Sequence, residues 1–302
     1  MHAGEGLSAR IRPVVVLFRP GAADIASLLA LGEWGWRPVA VSNAAEPHQI
    51  EQLRAAGIEL IENADNLGLA RALNQGIERV FSSGADYVML LDQDSRPPAR
   101  MLGDLLERAD GFATGGQALG CIGPRPIDRK AISVGENGVT NRGTRPVASV
   151  LTSGQVIPRS AYDRVGGMWN ELFIDNIDHE WCFRARASGL TVLMACDVPM
   201  PHDLGDALVG PPGLQRILHR NPFRHYHIVR NTLWVQRCGH APLAWRLVEL
   251  ARLAYRLPLY VFATTDRRTS LSSVVRGLRD GIAGPPDRSY SAASAAASPI
   301  AG

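Results

Sequence analysis

The sequence predicts an α/β fold with a mostly parallel sheet flanked by helices. In the first 110 residues, short apolar runs typical of buried strands alternate with amphipathic stretches of helical period. This alternation is typical of parallel strands joined by helices that cover both faces of the sheet. Because such sheets bind ligands at the carboxyl ends of their strands, the polar residues that follow each apolar run are the first candidates for a binding site.

Four strands and four helices are expected in this first part of the chain. Each strand is a short run rich in Val, Ile or Leu, and each helix carries apolar residues on one face. The strands are expected at 13–18, 38–43, 58–63 and 87–91. The helices are expected around 25–31, 49–56, 69–81 and 101–109.

The alternation of strand and helix patterns ends after residue 110, where segments rich in Gly and Pro interrupt it. Further elements are expected as strands at 118–123, 147–157 and 191–195 and as a helix at 179–189. From 226 to about 279 the pattern is helical and basic, and the Ser- and Ala-rich end is typical of disorder. The expected organisation is a main domain at 1–225, a helical section at 226–286 and a disordered tail at 287–302.

The charge of the chain is unevenly distributed. Residues 1–215 hold 19 Lys and Arg against 25 Asp and Glu, a net charge of −6. Residues 216–302 hold 13 against 4, a net charge of +9. A basic end section favours contact with something anionic, such as phosphate groups or a lipid surface. Nucleic acid is not expected as a partner, because aromatic residues are sparse there and no nucleic-acid-binding motif occurs.

The cysteines and the apolar segments indicate the compartment. The four cysteines are widely spaced without a C-x-x-C pair, so neither a zinc cluster nor a disulfide scaffold is indicated. Buried free thiols fit a reducing environment. The first residues lack the apolar core of a signal peptide, and the apolar stretch at 257–263 is shorter than the ~20 residues of a spanning helix. A cytoplasmic location is therefore expected.

Asp92 and Asp94 follow the fourth predicted strand in YVMLLDQDS. Alternate residues of an extended chain point the same way, so both carboxylates can face one ligand. Their oxygens suit Mg²⁺ or Mn²⁺, although a solvated or helix-capping role fits the same pair. The aspartate nucleophile of haloacid-dehalogenase-type phosphatases is a weaker alternative. Three strands precede the motif here, and the only lysine, Lys130, lies in a polar loop.

A second acidic cluster lies in FIDNIDHEWCFRAR, residues 173–186. A metal site, a helix cap and an acid/base centre all suit Asp175, Asp178 and Glu180 beside His179. The spacing H-E-x-x-H of zinc enzymes is absent. Asp178 begins the predicted helix, whose first N–H groups would fix the direction of a carboxylate. Capping and a role as a base are therefore compatible for this residue.

Four blocks together resemble the inverting glycosyltransferases of family 2 with the GT-A fold, and most closely their rhamnosyltransferases. The blocks are DNLGLARALNQGI (65–77), YVMLLDQDSRP (87–97), FIDNIDHEWCFRARASG (173–189) and HDLGD…HRNPFRHYHIVRN (202–231). Their order and spacing match across roughly 13–231, and RGLRDGIAG (276–284) is similar to that group's end section. The resemblance implies a Rossmann-like GT-A domain with a nucleotide-binding half at 1–110 and an acceptor-binding half at 111–225.

The resemblance also implies which residues hold the nucleotide sugar and the metal. The expected donor contacts are Phe18, Arg19, Asn43, Asp65, Asn66, Gly68, Arg71, Asp92, Gln93, Tyr226 and Arg230. Arg230, with Tyr226 as the weaker candidate, is expected to stabilise the leaving diphosphate, because guanidinium groups fit phosphate oxygens. Mg²⁺ or Mn²⁺ is expected on Asp94 and His202, with Asp92 at the ribose or at the water shell of the metal.

The same resemblance implies the reaction. Asp178 is expected to take the proton of the acceptor hydroxyl, with Glu180, Asp175 and Trp181 at the acceptor. The expected donor is dTDP-L-rhamnose, with nucleotide sugars of galactofuranose, glucose or N-acetylhexosamine as alternatives. The expected acceptor is a glycan or polyprenyl-linked glycan of a surface polysaccharide.

The basic helices predicted at 243–259 and 270–282 have two open interpretations. They are expected either to rest on the inner face of the plasma membrane or to form the interface of a homo-oligomer.

Overall fold

The computed structural model describes residues 9–128, 143–202, 207–209, 216–218 and 221–291. Within these ranges the strands form an eight-stranded mixed sheet and a two-stranded ribbon. The strands are β1 (Ile11–Leu17), β2 (Val39–Ser42), β3 (Glu59–Glu62), β4 (Tyr87–Asp92), β5 (Leu119–Asp128), β6 (Thr144–Pro146), β7 (Gln155–Pro158), β8 (Thr191–His202), β9 (Ala207–Val209) and β10 (Arg216–Leu218).

Helices cover both faces of the large sheet. They are α1 (Ala22–Glu33), α2 (Pro47–Ala55), α3 (Leu69–Ser82), α4 (Met101–Thr114), α5 (Arg159–Val165), α6 (Ile177–Ala187), α7 (Pro222–Gln236), α8 (Leu243–Phe262) and α9 (Arg267–Ala283), with a 3₁₀ turn at Asn170–Leu172. Every strand and helix predicted between residues 13 and 109 is present with shifted ends. The predicted α/β class is confirmed.

The strand order is β3-β2-β1-β4-β7-β5-β8-β6. The first four strands are parallel, β7 runs antiparallel to β4 and β5, and β5 and β8 are parallel. From β1 the chain first adds β2 and β3 on one side and then β4 on the other. This reversal opens a crevice at the carboxyl ends of β1 and β4, where open α/β sheets bind their ligands.

Two apolar cores hold the layers together, one on each face of the sheet. Along β1, Val14 and Val16 face the core that contains Leu73 of α3. Val15 and Leu17 face the core that contains α1 and α4. Burying a side chain of this size contributes roughly 1.5–3 kcal/mol, so the alternation in β1 fixes which residues face which layer.

The helical section at the end of the chain is continuous with the main domain. α7 places Trp234 and Val235 in the core on the α3 side of the sheet. α8 and α9 pack on α7 around Leu253, Tyr260 and Val274. The predicted boundary between residues 225 and 226 therefore falls inside α7. In the part of the chain that the structure describes, no helix combines the length and the hydropathy needed to span a bilayer.

The segment after α9 folds back onto the main domain. The backbone N–H of Ser289 donates to the Glu171 carboxylate over 3.0 Å, and the backbone N–H of Asn170 donates to the Ser289 carbonyl over 2.9 Å. The Arg184 guanidinium lies 4.2 Å from the centre of the Tyr290 ring. Residues 287–291 are thus packed rather than part of a disordered tail. The rest of the predicted tail, 292–302, lies outside the described residues.

Candidate active site

The carboxyl ends of β1 and β4 lie side by side where the strand order reverses. Asp92, the last residue of β4, is in register with Val16 of β1. The backbone N–H of Phe18, just after β1, donates to the side-chain oxygen of Gln93 over 2.8 Å. The structure therefore brings the predicted contacts Phe18, Asp92 and Gln93 to one edge of the sheet.

The carboxylate of Asp178, from a distant part of the sequence, lies near those of Asp92 and Asp94 at this edge. Asp92 is partly buried, Asp94 is exposed, and Asp178 lies in the first turn of α6. Burial and the negative charges of Asp94 and Asp178 raise the pKa of Asp92 to about 7, while the positive charge of Arg224 opposes the rise. Such an excess of negative charge favours the binding of a cation.

α6 begins after an unusual stretch of backbone. Phe173, Asp175 and Asn176 have φ angles of 65°, 68° and 63°, in the left-handed region that non-glycine residues rarely adopt. We call residues 173–176 the left-handed segment. Asp178 follows it, and its Oδ1 accepts the backbone N–H of His179 over 2.8 Å. Asp178 is the second residue of α6, and the N-cap is Asn176, so Asp178 is not the cap itself. Its carboxylate accepts one of the first N–H groups of the helix, and its Oδ2 has no protein partner among the described residues.

Arg224, in the first turn of α7, lies beside the same carboxylates. Its Nε is 3.3 Å from Oδ2 of Asp175. Its positive charge partly opposes the rise in the pKa of Asp92. Asn231, seven residues further along α7, donates to the backbone of Asp175. Seven residues are nearly two helical turns, so Arg224 and Asn231 share one face of α7. This spacing is the signal in the sequence that could have identified them as a pair.

A turn between β3 and α3 forms the other wall of the crevice. The buried Asn43 donates from Nδ2 to the Gly68 carbonyl over 3.1 Å, and the Gly68 N–H donates to Oδ1 of Asn66 over 3.0 Å. Gly68 has a φ angle of 84°, and a Cβ there would lie 2.5 Å from the Phe173 ring. Only glycine fits this position. Asp65 is exposed at the start of the turn.

Two predicted donor contacts are cations near these strand ends. Arg19 has a φ angle of 47°, and its guanidinium lies 5.2 Å from the centre of the Phe18 ring, which is 42% exposed. Arg71 lies in the first turn of α3, three residues after Gly68. Its Nε is buried and has no hydrogen-bond partner among the described residues. A buried donor of this kind is satisfied when an acceptor reaches it, which fits an anionic ligand.

Two of the predicted acceptor contacts lie in the core instead. Glu180 is 0% exposed, and its oxygens accept from Arg184 over 3.0 and 2.9 Å. Burial opposes its ionisation, but pairing with His240 and Arg184 leaves the pKa of Glu180 lowered. Trp181 is also fully buried and donates from Nε1 to the Gly166 carbonyl over 2.9 Å. These contacts contradict acceptor binding by both residues, because neither has surface left for a ligand.

The predicted diphosphate contacts are likewise structural. Arg230 is 3% exposed and donates to the carbonyls of Glu171 and Leu172 over 2.7 and 3.1 Å. The Tyr226 hydroxyl donates to the Asp280 carboxylate over 2.9 Å. These contacts contradict donor binding by Arg230 and Tyr226. The arginine of α7 that reaches the carboxylates is Arg224, two turns earlier on the helix.

The metal ligands of the prediction are only partly within the described residues. His202 ends β8, but its side chain lies outside the description, so its role as a ligand stays a prediction. Among the described residues, no group of three or more His, Cys, Asp or Glu side chains is arranged to hold a metal ion. Asp92 and Asp94 remain as a pair of oxygen donors, the type of ligand that Mg²⁺ and Mn²⁺ prefer.

A small pocket of about 10 Å³, roughly the space of one water molecule, lies beside Ser153. Its lining is Pro124, Pro126, Leu151, Ser153 and Met200. The Ser153 hydroxyl is hydrogen-bonded to that of Ser95, the residue after Asp94. The cavity is therefore largely apolar, with a single hydroxyl directed to the D-x-D turn.

Comparisons with known proteins agree with this architecture. Residues 27–166 match the model of glycosyl transferase family 2. The chain is also 27% identical, over 293 residues, to a Shigella flexneri protein described as dTDP-rhamnosyl transferase RfbF. That similarity covers 92% of this chain and 97% of the Shigella protein.

Solved structures of TarS from S. aureus share the fold. Its fragment 1–349 superposes with a TM-score of 0.53 at 12% identity, covering 90% of this chain and 80% of the fragment. The same fragment in complex with UDP-GlcNAc gives a TM-score of 0.54 at 12% identity and the same coverage. At such low identity the likeness establishes the fold alone.

These matches give no support to a phosphatase, the weaker alternative for the D-x-D pair. The family model covers β2 to β7, including β4 and the D-x-D turn on one side of the crevice, whereas β1, α6 and α7 lie outside the match. The Shigella protein extends the similarity over most of the chain. The protein is a glycosyltransferase with the GT-A fold, similar to glycosyl transferase family 2 across residues 27–166 and to a dTDP-rhamnosyl transferase over most of its length.

Proposed function

We propose that the protein transfers L-rhamnose from dTDP-L-rhamnose to a hydroxyl group of a glycan or polyprenyl-linked glycan, with inversion at the anomeric carbon. One observation carries the proposal. The carboxylates of Asp92 and Asp94 approach that of Asp178 and the guanidinium of Arg224 at the crevice. A donor site and a base are thus side by side. The similarity to the Shigella dTDP-rhamnosyl transferase supports the choice of donor.

The nucleotide is proposed to lie against the ends of β1 and β2 and the turn at Asn66–Gly68. Phe18 offers an exposed ring, and Asn43 holds the turn that brings Gly68 against Phe173. The diphosphate is proposed to meet Arg224, because its guanidinium lies at the crevice, where a phosphate could take the place of the Asp175 carboxylate that it binds. This replaces the earlier expectation for Arg230, whose donors are used by backbone carbonyls.

Mg²⁺ or Mn²⁺ fits the oxygen donors of this site. We propose Asp94 as its direct ligand and Asp92 at its water shell, with His202 as the third ligand that the sequence predicts. When bound, the metal would neutralise the charge that develops on the leaving diphosphate. Asp92 and Asp94 would orient the donor, and Arg224 would add a second positive charge on the same side.

Asp178 is proposed as the base. Its Oδ1 is occupied by the His179 N–H, which leaves Oδ2 for the acceptor hydroxyl. The acceptor oxygen forms a bond to the anomeric carbon while the bond from that carbon to the phosphate oxygen breaks. The electron pair leaves with the diphosphate, and the hydroxyl proton moves to Asp178. One displacement of this kind inverts the anomeric centre.

The choice of a 6-deoxy sugar rests on the similarity to the Shigella dTDP-rhamnosyl transferase. Nucleotide sugars of galactofuranose, glucose and N-acetylhexosamine are the alternatives. In the structure of the TarS fragment with UDP-GlcNAc, an N-acetylhexosamine donor is bound by a protein of the same fold.

A panel of nucleotide sugars tests the proposal. We expect dTDP-L-rhamnose with Mn²⁺ to raise the melting temperature of the wild-type protein and to be consumed when a glycan acceptor is added. The Asp94→Ala variant should lose roughly 100-fold in metal-dependent donor affinity, because it lacks the direct ligand. Asp163→Asn, an exposed carboxylate on α5, is the control and should bind like the wild type. Stabilisation by no member of the panel would contradict the proposal.

We also propose that the enzyme works at an anionic membrane surface. α8 and α9 expose a set of large apolar side chains, which we call the apolar face. Its members are Leu243, Leu247, Val248, Leu250, Tyr255, Phe262, Leu271, Val275 and Ile282. Exposure of 60% or more at Leu243, Leu247, Phe262 and Ile282 is unusual unless another apolar surface covers them.

Charge favours a lipid leaflet over a second copy of the chain. Residues 243–283 hold seven Arg and no Lys against three acidic residues. Arg252, Arg268 and Arg279 are exposed on α8 and α9, the helices of the apolar face. Two copies that met through this face would bring like charges together, whereas anionic headgroups attract them.

Sedimentation with vesicles tests the membrane proposal. We expect binding to vesicles that contain phosphatidylglycerol, and little binding to pure phosphatidylcholine. The double variant Leu247→Glu/Phe262→Glu should lose this binding. Trp34→Glu, which changes an exposed apolar residue outside these helices, should keep it. Failure of the wild-type protein to bind the vesicles would refute the membrane proposal. A dimer that the double variant disrupts would also refute it and would favour a subunit interface.

A further inference from the structure

We infer that Arg230 and Asn231 are positioning residues, which hold the left-handed segment in the shape that directs Asp178 at the acceptor. The inference rests on the proposed role of Asp178 as the base. It assigns a function to two buried polar residues. Neither of them contacts the carboxylates of Asp92, Asp94 and Asp178 or the turn at 66–68. We call the pair the α7 bracket.

The left-handed segment cannot hold its shape by local preference. Phe173, Asp175 and Asn176 all have positive φ angles within four positions, and none of them is glycine. In the left-handed region the Cβ atom crowds the backbone, so each residue costs conformational energy. Such backbone persists only when its surroundings over-determine it, and it is common where a functional group must be aimed.

The α7 bracket supplies those surroundings. Nδ2 of Asn231 lies 2.8, 2.7 and 3.0 Å from the carbonyls of Leu172, Ile174 and Asp175, so its two N–H groups serve three acceptors and one hydrogen is shared. Its Oδ1 accepts the Nε–H of Arg230 over 2.9 Å, which fixes the orientation of the amide. Asn231 is 0% exposed, so the amide meets these carbonyls out of contact with bulk water. One amide thus satisfies three carbonyls of a strained stretch.

Arg230 extends the bracket to the start of the segment. Its Nη2 donates to the carbonyls of Glu171 and Leu172, and its guanidinium lies 4.2 Å from the centre of the Trp234 ring. The charge is therefore placed against carbonyl dipoles and an aromatic face rather than against a carboxylate. Burial lowers the pKa of Arg230. The contacts with the carbonyls compensate for the loss of water.

The segment joins the base to the wall of the donor site. Asn176 is the N-cap of α6, two residues before Asp178, and its Nδ2 lies 3.3 Å from the hydroxyl of Thr232 on α7. At the other end, the Phe173 carbonyl accepts the Ala70 N–H over 3.2 Å. A shift of the segment therefore moves the start of α6 and with it the carboxylate of Asp178.

Asn231→Ala tests the inference against Gln236→Ala. Gln236 is on the same helix, is 8% exposed and donates to one carbonyl of α8, so its loss is a matched structural change away from the segment. We expect Asn231→Ala to lower kcat roughly 10- to 100-fold, the effect of misplacing a catalytic group by about 1 Å. Donor affinity should change less than about twofold, because the Asn43–Gly68 and Asn66–Gly68 bonds remain.

A rescue variant separates positioning from general loss of stability. Asn176→Gly removes the cost of one left-handed residue, so in the Asn231→Ala background it should recover part of kcat, by about fivefold. Amide hydrogen exchange at 173–178 should be faster in Asn231→Ala and unchanged in Gln236→Ala. Equal losses of kcat in the two single variants, a parallel loss of donor affinity, or no rescue by glycine would overturn the inference.

Failure of the proposed function gives a different result. A wild-type protein that transfers no sugar from any donor refutes the transferase reaction proposed above. The hydrogen-exchange comparison does not depend on activity. Unchanged exchange at 173–178 in Asn231→Ala would refute the bracket even if the wild-type protein is active.

Discussion

The two acidic stretches of the chain look alike in sequence but are held in different ways. At the end of β4, Asp92 and Asp94 stay together because a strand and its tight turn fix them at one edge. At the start of α6, Asp175 pairs with Arg224, Asp178 faces the crevice, and Glu180 is buried against Arg184. Carboxylates separated by two or three residues thus serve three purposes there. Residues on other helices decide which purpose each one has.

The largest effect is expected from Asp178→Asn, which tests the member of the second stretch that faces the crevice. The amide cannot accept the hydroxyl proton, so kcat should fall roughly 10³- to 10⁴-fold. The side-chain oxygen of the new Asn can still accept the His179 N–H, so folding and donor affinity should be unchanged. Single-turnover rates and donor titration measure the two effects. Transfer at more than a tenth of the wild-type rate would exclude Asp178 as the base.

Glu180→Gln is expected to have a smaller effect, which lowers stability and leaves activity nearly unchanged. Removing one charge from a buried pair leaves Arg184 uncompensated, which costs about 3 kcal/mol of the free energy of unfolding. The activity of the protein that remains folded should be within twofold of wild type. Denaturant titration and an assay below the transition measure these values. A Glu180→Gln variant that loses activity but keeps full stability would show that Glu180 acts in the active site.

The pH dependence of that loss has a definite sign. The pKa of Glu180 is lowered in the folded protein. Its stabilising contribution is therefore present above the unfolded value of about 4.3 and is lost as the pH falls through the folded pKa. The difference in stability between wild type and Glu180→Gln should thus be large at pH 7 and shrink towards pH 4.

The smallest effect is expected from Asp92→Asn, and its pH dependence should be reversed. The folded pKa of Asp92 is about 7, above the ordinary Asp value of about 3.9. The unfolded chain releases this proton first, so the metal-free protein loses stability as the pH rises from about 4 to about 7. Asp92→Asn should therefore raise the melting temperature at pH 8 by roughly 2–4 °C, the shift for about 1 kcal/mol.

Scanning calorimetry in EDTA measures this gain, with pH 5 as the reference, where the gain should be smaller. An equal gain at both pH values would show that Asp92 is not affected by burial and by its charged neighbours. Addition of Mn²⁺ should cancel the advantage of the variant at pH 8, because the metal compensates the same negative charge.

The sequence was sufficient for the sheet and for its binding edge. Apolar runs predicted β1, β2 and β4 because these strands are buried on both faces, and the partly exposed edge strand β3 was predicted from its Leu and Ile. Asp92, Asn43 and Gly68 were identified because they follow strand ends or form turns. It was insufficient for Arg230, Glu180 and Trp181. Their partners lie at residues 171–172, 184 and 166, and only the packed helices show that all three side chains point away from the crevice.

The end of the chain shows the same limit. Composition predicted disorder from residue 287, because Ser and Ala provide little apolar surface. Ser289 and Tyr290 nonetheless pack on Glu171 and Arg184, a contact that no local pattern reveals. The exposed apolar residues of α8 were visible as a helical period, but the period does not state which side of the helix is covered by protein.

The central claim is a single displacement in which Asp178 takes the proton and the anomeric centre inverts. Proton NMR of the reaction with dTDP-L-rhamnose, Mn²⁺ and a glycan acceptor tests it most directly, because it reports the anomeric configuration of the first product formed. We expect a product with the configuration opposite to that of the donor, formed by the wild type and not by Asp178→Asn. A product with retained configuration would contradict it.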